Sequence, residues 1–348
     1  MASAKKATPS PSRGVPVPEA RRRAAKQVLK LLEPGMRVAL MTHVNADGDG
    51  AGSEVALWHL LTQRDIRAAI TNPTPFPERF AFLLGKAAGA DKSSSGVKYL
   101  ERADAIVVLD IADLDRLGHL ARVVERVNVP VACIDHHVSN GTLPPGPRLV
   151  DAAACATGEL IYDLARAARW ELTPHVARAL YVAVLTDTGG FRFSNTSPRT
   201  LHVAAHLLER GLDAEQIYRE VYASEPEGKI RLLGEVLETL VVEPQHQLAW
   251  MTVPPGAMER HAVDASDLDG IVEFARAVRG VQLAILFREL ANGRIKASFR
   301  SVGHVDVARM AESFGGGGHR KAAGASLEGT LAEVQAIVLD AARSVARP

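Results

Sequence analysis

Four short segments of this chain concentrate side chains that bind metals or carry protons. The first is Thr42-His43-Val44-Asn45-Ala46-Asp47-Gly48-Asp49-Gly50-Ala51-Gly52-Ser53. It offers one imidazole (His43) and two carboxylates (Asp47, Asp49), and its glycines permit the backbone to fold around an ion. Taken alone, such an Asp/Gly run is most often a turn. A calcium loop of the EF-hand kind fits poorly, because the twelfth position is Ala56 rather than glutamate and no helix enters the loop. The second segment is Asp110, directly after Val107-Val108-Leu109; a helix cap is the ordinary role there, and Asp113 and Asp115 open the next helix. The third is Asp135-His136-His137, again after an apolar run. Two imidazoles and a carboxylate at one strand end are costly to desolvate without partners, so packing does not account for them. The fourth, Leu185-Thr186-Asp187-Thr188-Gly189-Gly190-Phe191-Arg192-Phe193, adds the carboxylate of Asp187 and, in Arg192, a phosphate clamp. The bland alternative there is an N-cap and turn with Phe191 and Phe193 in the core.

These clusters must be positioned by regular elements. Val38 to Thr42, Ala105 to Leu109 and Val129 to Ile134 read as strands, with helices over Ser53 to Gln63 and Leu114 to Arg126. Such alternation predicts an α/β fold with a mostly parallel sheet and helices on both faces. Ligands of such sheets bind beyond the carboxyl ends of the strands, which is where three of the four clusters fall. A basic helix, Pro18 to Leu32, precedes the first strand; its Arg21, Arg22 and Arg23 read as a solvated face. Helical patterns fill Gly158 to Gly211, and Ser197-Pro198 is an N-cap followed by proline at the first helical position. After residue 238 the character changes. Strands at 239–243 and 248–253, a helix at 266–278, a hairpin of 281–289 with 295–300 around Asn292-Gly293, and helices near 304–314 and 329–345 form a smaller α/β domain. The expected organisation is a disordered tail at 1–18, a catalytic domain at 19–215, a helical connector at 216–238 and a substrate-binding domain at 239–348.

His43, Asp47, Asp49, Asp110, His136 and Asp187 are too many ligands for one ion and suit two divalent cations sharing a carboxylate. Carboxylate and imidazole without thiolate favour Mn²⁺, with Mg²⁺, Co²⁺ or Zn²⁺ as alternatives. Two such ions about 3.5–4 Å apart stabilise the attacking and leaving oxygens of phosphoryl hydrolysis, with a bridging hydroxide as the nucleophile.

Composition narrows the substrate. The chain has 348 residues and a formal net charge of only +1, so no global positive field holds a long nucleic acid. Aromatic residues are 5% of the chain, too few for an extended base-stacking track. Two cysteines, Cys133 and Cys155, give no disulfide framework and fit a reducing, cytoplasmic setting. No apolar run approaches the ~18 residues of a membrane span, and no secretory signal follows the basic N-terminus.

Together the four segments resemble the DHH phosphoesterase superfamily, named for the triplet seen here as Asp135-His136-His137. Gly315-Gly316-Gly317-Gly318-His319-Arg320-Lys321-Ala322-Ala323-Gly324 is similar to the glycine-rich motif of the DHH-associated C-terminal domain. Within the superfamily the likeness is to the oligoribonuclease (nanoRNase) and 3′-phosphoadenosine-5′-phosphate phosphatase group. The resemblance implies that His43 and Asp47 bind one metal, that Asp49, His136 and Asp187 bind the other, and that Asp110 bridges them. It places His137 beside the scissile phosphate and Asp135 behind the histidines, holding their tautomers. It also implies an active site in the cleft between the two domains. There the C-terminal domain would grip substrate through Ser298, Arg300, Gly316, Gly317, Gly318 and His319. Four consecutive glycines let backbone N–H groups approach a phosphate closely; taken alone, the run would be a flexible loop. Ala46 stands where the family usually has proline, and Gly190 where a polar residue is frequent. Arg320 and Lys321 make the C-terminal motif basic, which favours an extra terminal phosphate on the substrate. A homodimer is compatible with the likeness.

The expected function is hydrolysis of very short oligoribonucleotides to mononucleotides, together with dephosphorylation of phosphoadenosine phosphate. A cyclic-dinucleotide (cyclic di-AMP) phosphodiesterase would use the same metal site. A catalytically dead nucleotide sensor is disfavoured by the complete ligand set. A family II inorganic pyrophosphatase would carry a different C-terminal motif, and a single-strand DNA exonuclease would need further domains.

Overall fold

A computed structural model describes residues 14–138, 141–268 and 270–345; the side chains of Lys86, Ala88, Ser266 and His319 are outside that description. Residues 1–13 of the expected tail lie outside the described residues. The chain divides into two compact units, Met1–Ser224 and Glu225–Pro348.

The first unit is built on five parallel strands: β1 (Arg37–Met41), β2 (Arg67–Ile70), β3 (Ala105–Leu109), β4 (Val131–Asp135) and β5 (Arg148–Val150), in the order β2-β1-β3-β4-β5. Every residue of β3 and β4 is buried, as expected of central parallel strands covered on both faces. Alternate residues feed two cores. Leu40, Val107, Leu109 and Ile134 pack with the helices Gly48–Thr62, Thr157–Ala168 and Pro174–Asp187. Met41, Ile106, Val108 and Cys133 pack under residues 114–124. β2 and β5, short and at the two edges, had no clear pattern in the sequence.

The second unit has six strands: β6 (Val241–Glu243), β7 (Leu248–Thr252), β8 (Leu283–Glu289), β9 (Ile295–Ser301), β10 (Gly317–His319) and β11 (Ala322–Leu327), ordered β10-β11-β9-β8-β7-β6. β7 and β8 run parallel and all other neighbours antiparallel. The Val307–Ser313 and Leu331–Val345 helices cover one face. Leu232 and Val236 of the Glu227–Glu238 helix and Val272 of the Val272–Arg276 helix pack on the other. The helix expected over 266–278 is cut to a 3₁₀ turn and this short helix by Gly270 at φ +86°. Among the described residues no helix is long and apolar enough to cross a membrane.

Two sequence expectations are corrected in the first unit. The helix expected to begin near Ser53 begins at Gly48, because the Asp47 carboxylate accepts from the backbone N–H groups of Asp49 and Gly50 and caps it. Arg21 is not solvated like Arg22 and Arg23: it is 4% exposed, and its guanidinium meets Asp151 (2.6 Å), Glu159 (2.6 Å) and Asp163 (2.9 Å). Glu159 also receives Arg199 at 2.9 Å and the Cys155 N–H at 3.1 Å. This buried network ties the N-terminal Glu19–Leu29 helix to the loop entering the Thr157–Ala168 helix. Arg21→Met leaves Arg199 as the one cation that Glu159 and Asp163 still share among the described residues. It should cost about 3 kcal/mol in urea unfolding near neutral pH, whereas Arg22→Met should stay within about 0.5 kcal/mol of the parent.

Candidate metal centre

In a sheet of order 2-1-3-4-5 the connections leave in opposite directions from β1 and β3, opening a crevice at their carboxyl ends. The first cluster follows β1, Asp110 follows β3, and Asp135-His136-His137 ends and follows β4. Asp187 is delivered separately, as the last residue of the Pro174–Asp187 helix. That helix lies tight against Gly48–Thr62: a Cβ on Gly52 would meet the Ala179 carbonyl oxygen at 2.6 Å. None of Gly48, Gly50 or Gly52 has positive φ. Gly48 and Gly52 allow close packing on that helix, and Gly50 allows close approach of the Thr42 side chain.

The carboxylate of Asp110 faces two ways. Its Oδ2 lies 3.8 Å from His43 Nε2, which is also 3.8 Å from Asp47 Oδ2. Its Oδ1 lies 3.6 Å from His136 Nε2, which is 3.7 Å from Asp49 Oδ2 and 3.6 Å from Asp187 Oδ2. Potential ligand atoms of His43, Asp47 and Asp110 fall within 4.8 Å of one another, as do those of Asp49, His136 and Asp187. These separations exceed hydrogen-bond length, and the buried His136 Nε2 has no hydrogen-bond partner. An orphaned imidazole nitrogen among hard carboxylate oxygens suits a divalent cation. The residues present therefore fit two such ions, with Asp110 shared.

Surrounding groups hold these ligands in place. His43 Nδ1 is 2.9 Å from the Val44 carbonyl, which assigns the proton to Nδ1 and leaves the Nε2 lone pair free. Asp49 sits on the N-terminus of the Thr157–Ala168 helix, accepting from the N–H groups of Thr157 (2.6 Å) and Gly158 (2.9 Å). The Thr157 hydroxyl donates to Asp110 Oδ1 at 3.0 Å. Asn195 Nδ2 donates to the Asp187 backbone carbonyl at 3.1 Å. Asp135 accepts from the Ala112 N–H, the His137 N–H and His137 Nδ1 (3.0, 3.1 and 2.8 Å), so it orients His137 rather than joining the ligand groups. Asn45, Asp110, Ala112 and Phe191 all adopt positive φ between 55° and 65°. Four non-glycine residues in this sparsely populated region are strain concentrated at the site.

Crowding shows in the protonation of the cation-free site. Burial, followed by the charges of Asp110, Asp187 and Asp47, pushes Asp49 well above the usual carboxylate range. Burial and Asp47 also raise Asp110, against the pull of the three histidines. Burial first, then Asp110 and Asp47, pushes Asp187 up to about 6, despite His136. His137 is raised by its hydrogen bond to Asp135.

The remaining sequence-picked residues are spread over both units. Arg192 is exposed, and its Nε donates to the Gly189 carbonyl. Phe191 packs partly buried near Tyr181, whereas Phe193 is 54% exposed and not core. In the second unit Ser298 and Arg300 lie on β9. Gly317, Gly318 and His319 form the edge strand β10, and Gly316 precedes it. Register puts Gly317, Gly324 and Ser298 in one row and His319, Ala322 and Arg300 in the next. The glycine-rich segment is thus a paired strand: a Cβ on Gly316 would meet the Gly324 carbonyl oxygen at 2.2 Å. Lys321 does not extend the motif toward an anion, since its Nζ donates to the carbonyls of Gly303 and Val305.

Sequence reading missed Thr157, Gly158 and Asn195, whose contributions come from helix-end N–H groups, a hydroxyl and an amide. The small-residue run Ala153-Ala154-Cys155-Ala156-Thr157-Gly158 before a helix was the available signal.

Comparison with known proteins agrees with this geometry. The DHH family, N-terminal domain, matches residues 37–184, and the DHHA1 domain matches residues 248–347. The bifunctional oligoribonuclease and PAP phosphatase NrnA of Thermus thermophilus is 33% identical over 328 residues, covering 92% of this chain and 93% of that one. Its namesake from Bacillus subtilis is 25% identical over 303 residues, covering 83% and 89%. Among solved structures, an exopolyphosphatase-related protein from Bacteroides fragilis superposes with a TM-score of 0.85 at 26% identity, covering 94% of this chain and 96% of that one. With the DHH triplet at the end of β4, its partner clusters around it and a DHHA1 domain following in the sequence, this chain belongs to the DHH phosphoesterase family.

Proposed function

We propose that this chain hydrolyses short oligoribonucleotides of roughly two to five nucleotides to mononucleotides, its few aromatic residues offering no track for longer strands. We also propose that it converts 3′-phosphoadenosine-5′-phosphate to AMP. The observation that carries the reading is the divided Asp110 carboxylate, each oxygen facing its own ligand group. The names of the 33% and 25% identical relatives support the same substrates.

His43, Asp47 and Asp110 would hold one divalent cation, and Asp49, His136, Asp187 and Asp110 the other, with Mn²⁺ first among Mg²⁺, Co²⁺ and Zn²⁺. When bound, such ions supply Lewis acidity toward the phosphate oxygens and lower the pKa of water. The chain's own residues do the rest. Asp135 fixes the His137 ring through Nδ1 at 2.8 Å and raises its basicity, so His137 Nε2 can hold a proton for the departing oxygen. Arg192 supplies a cation for the phosphate. Ser298, Arg300, Gly316, Gly317, Gly318 and His319 hold the terminal nucleotide.

Product analysis with purified protein and Mn²⁺ tests this, offering in parallel an RNA length ladder, phosphoadenosine phosphate, cyclic di-AMP and pyrophosphate. Mononucleotides from dimers to pentamers, with long RNA spared, is the expected result. Faster turnover of cyclic di-AMP than of linear dinucleotides would replace it with the signalling phosphodiesterase. No turnover with any divalent ion would leave a sensor.

Asp110→Asn should cut turnover by at least about 10²–10³-fold, since one change weakens both ion sites. Asp135→Asn should cost about 10–100-fold while Mn²⁺ binding, read by calorimetry, persists.

Metal linkage gives a pH test. Carboxyls whose pKa rises on folding cost the cation-free protein stability as pH climbs through the folded value, about 6 for Asp187. A cation relieves that cost and displaces the protons. The gain in Tm on adding Mn²⁺ should therefore be larger at about pH 7.5 than at about pH 5, and it corresponds to about 2.7 kcal/mol when free ion stands about a hundredfold above Kd. A gain independent of pH would contradict this ligand set.

A further inference from the structure

His43 stands between two backbone groups that a neighbouring loop holds. The loop is Thr71-Asn72-Pro73-Thr74, directly after the edge strand β2. On one side of His43, the Thr42 N–H donates to Asn72 Oδ1 at 3.0 Å. On the other, the Asn45 N–H donates to Thr74 Oγ1 at 2.9 Å, and Asn45 is one of the residues held at positive φ, +55°. Thr71 fastens the loop to the end of β1: its N–H and its hydroxyl both donate to the Leu40 carbonyl, at 2.8 and 3.1 Å. Pairing of β1 with β2 accounts for the Thr71 N–H bond alone. The side-chain bonds from Asn72 and Thr74 reach past the ladder to the loop that carries His43.

Asn72 is in turn oriented from behind. Its Nδ2 donates at 2.8 Å to Oε2 of Glu54, five residues after Asp49 on the Gly48–Thr62 helix. Thr42 and Glu54 are 0% exposed and Asn72 1%. An amide has one accepting and one donating end, so an acceptor on the Nδ2 side decides which end meets the Thr42 N–H. Among the described residues no cation lies within 4.0 Å of Glu54. Burial, with the charges of Asp91 and Asp110 behind it, raises Glu54 well above the usual carboxylate range, against its bond from Asn72. Glu54 is thus a neutral acid that serves Asn72 as an acceptor, not an anion that serves the cations.

We propose that Asn72, oriented by Glu54, is a positioning residue for the metal centre, acting on the ion held by His43, Asp47 and Asp110 and not on the other. This rests on the two-ion reading above and deepens it by giving one ion its own support. The selectivity follows from connectivity. Both clamped groups flank His43, whereas Asp49 is held by the N-terminus of the Thr157–Ala168 helix, and His136 and Asp187 come from the end of β4 and from the Pro174–Asp187 helix. Without the Asn72 acceptor the Thr42 N–H is buried and unpaired, and a backbone shift that relieves it carries His43 along.

Mn²⁺ calorimetry on the full chain tests this, with thermal unfolding in chelator as the control for folding. The parent should bind two ions. Asn72→Ala should weaken one of them by about 10–100-fold, the scale of removing an outer partner of a ligand, and leave the other within about twofold. Pairing identifies the affected ion, because residues that act through one another are non-additive. In an Asp187→Asn background Asn72→Ala should still weaken the first ion, and in a His43→Ala background it should move what binding remains by no more than about twofold. Glu54→Gln keeps a neutral acceptor for Asn72 Nδ2 and should leave both ions unchanged, whereas Glu54→Leu should reproduce Asn72→Ala. Should Asn72→Ala fail to fold, Thr74→Val carries the test at a half-buried position. It removes only the hydroxyl that accepts from Asn45 and should weaken the same ion about three- to tenfold, the scale of one hydrogen bond. Parent-like affinity for both ions in Asn72→Ala, or equal losses at both, would overturn the proposal. So would weaker binding in Glu54→Gln, which would make Glu54 a counter-charge. A parent that takes up fewer than two ions would sink the two-ion reading, and this proposal with it; selective failure of the variants would sink the proposal alone.

Discussion

Repulsion among buried carboxylates is the constraint on which the first unit depends. Asp49 and Asp110 are 1–2% exposed and share a pocket with Asp187 and Asp47. Buried like charges on this scale are tolerated only where counter-charge or oriented dipoles meet them. Part of the answer is built in. The N-terminus of the Thr157–Ala168 helix turns two N–H groups and a hydroxyl onto Asp49 and Asp110. The rest is left unmet, as protons held at raised pKa values and an imidazole nitrogen with no partner. A site kept short of positive charge, with its geometry fixed beforehand, is one arranged for cations.

Fixing that geometry explains features remote from it. The N–H groups that hold Asp49 can be aimed only if the loop before Thr157 is rigid. Glu159 secures that loop by accepting from the Cys155 N–H, and Arg21 and Arg199 in turn hold Glu159. A buried ion network of this kind adds little net stability compared with apolar packing. Its value lies in direction: it sets where a helix begins. The close seating of Gly48–Thr62 on Pro174–Asp187 serves the same end, since the two helices carry Asp49 and Asp187 to the same nitrogen of His136.

How much of this was legible in the sequence follows from which forces leave a local signature. Strands β1, β3 and β4 read clearly because central parallel strands are apolar on both faces. Their ends could then be placed on one edge, and His43, Asp47, Asp49, Asp110, His136 and Asp187 do converge there. β2 and β5 were invisible, being three or four residues long and partly exposed at sheet edges. The start of the Gly48–Thr62 helix was misplaced because Asp47 serves two roles, cap and ligand candidate, and glycine-rich sequence disfavours the helix that packing imposes. Arg21 was misread because burial by residues 130–142 positions away leaves no trace in its neighbours. Thr157 and Gly158 act through backbone N–H groups, which every residue but proline has.

The second unit meets the anion problem from the opposite side. Where the first crowds negative charge, the β8–β9 ladder sets Arg288 directly opposite Lys296. Both accept a local penalty that a purely structural sequence would remove, repelling carboxylates in one and an Arg–Lys cross-strand pair in the other. The row of Ser298 continues through Gly324 to Gly317, and that of Arg300 through Ala322 to His319. The glycine-rich motif is a paired edge strand whose Gly316 and Gly318 lie too close to the neighbouring strand for a Cβ.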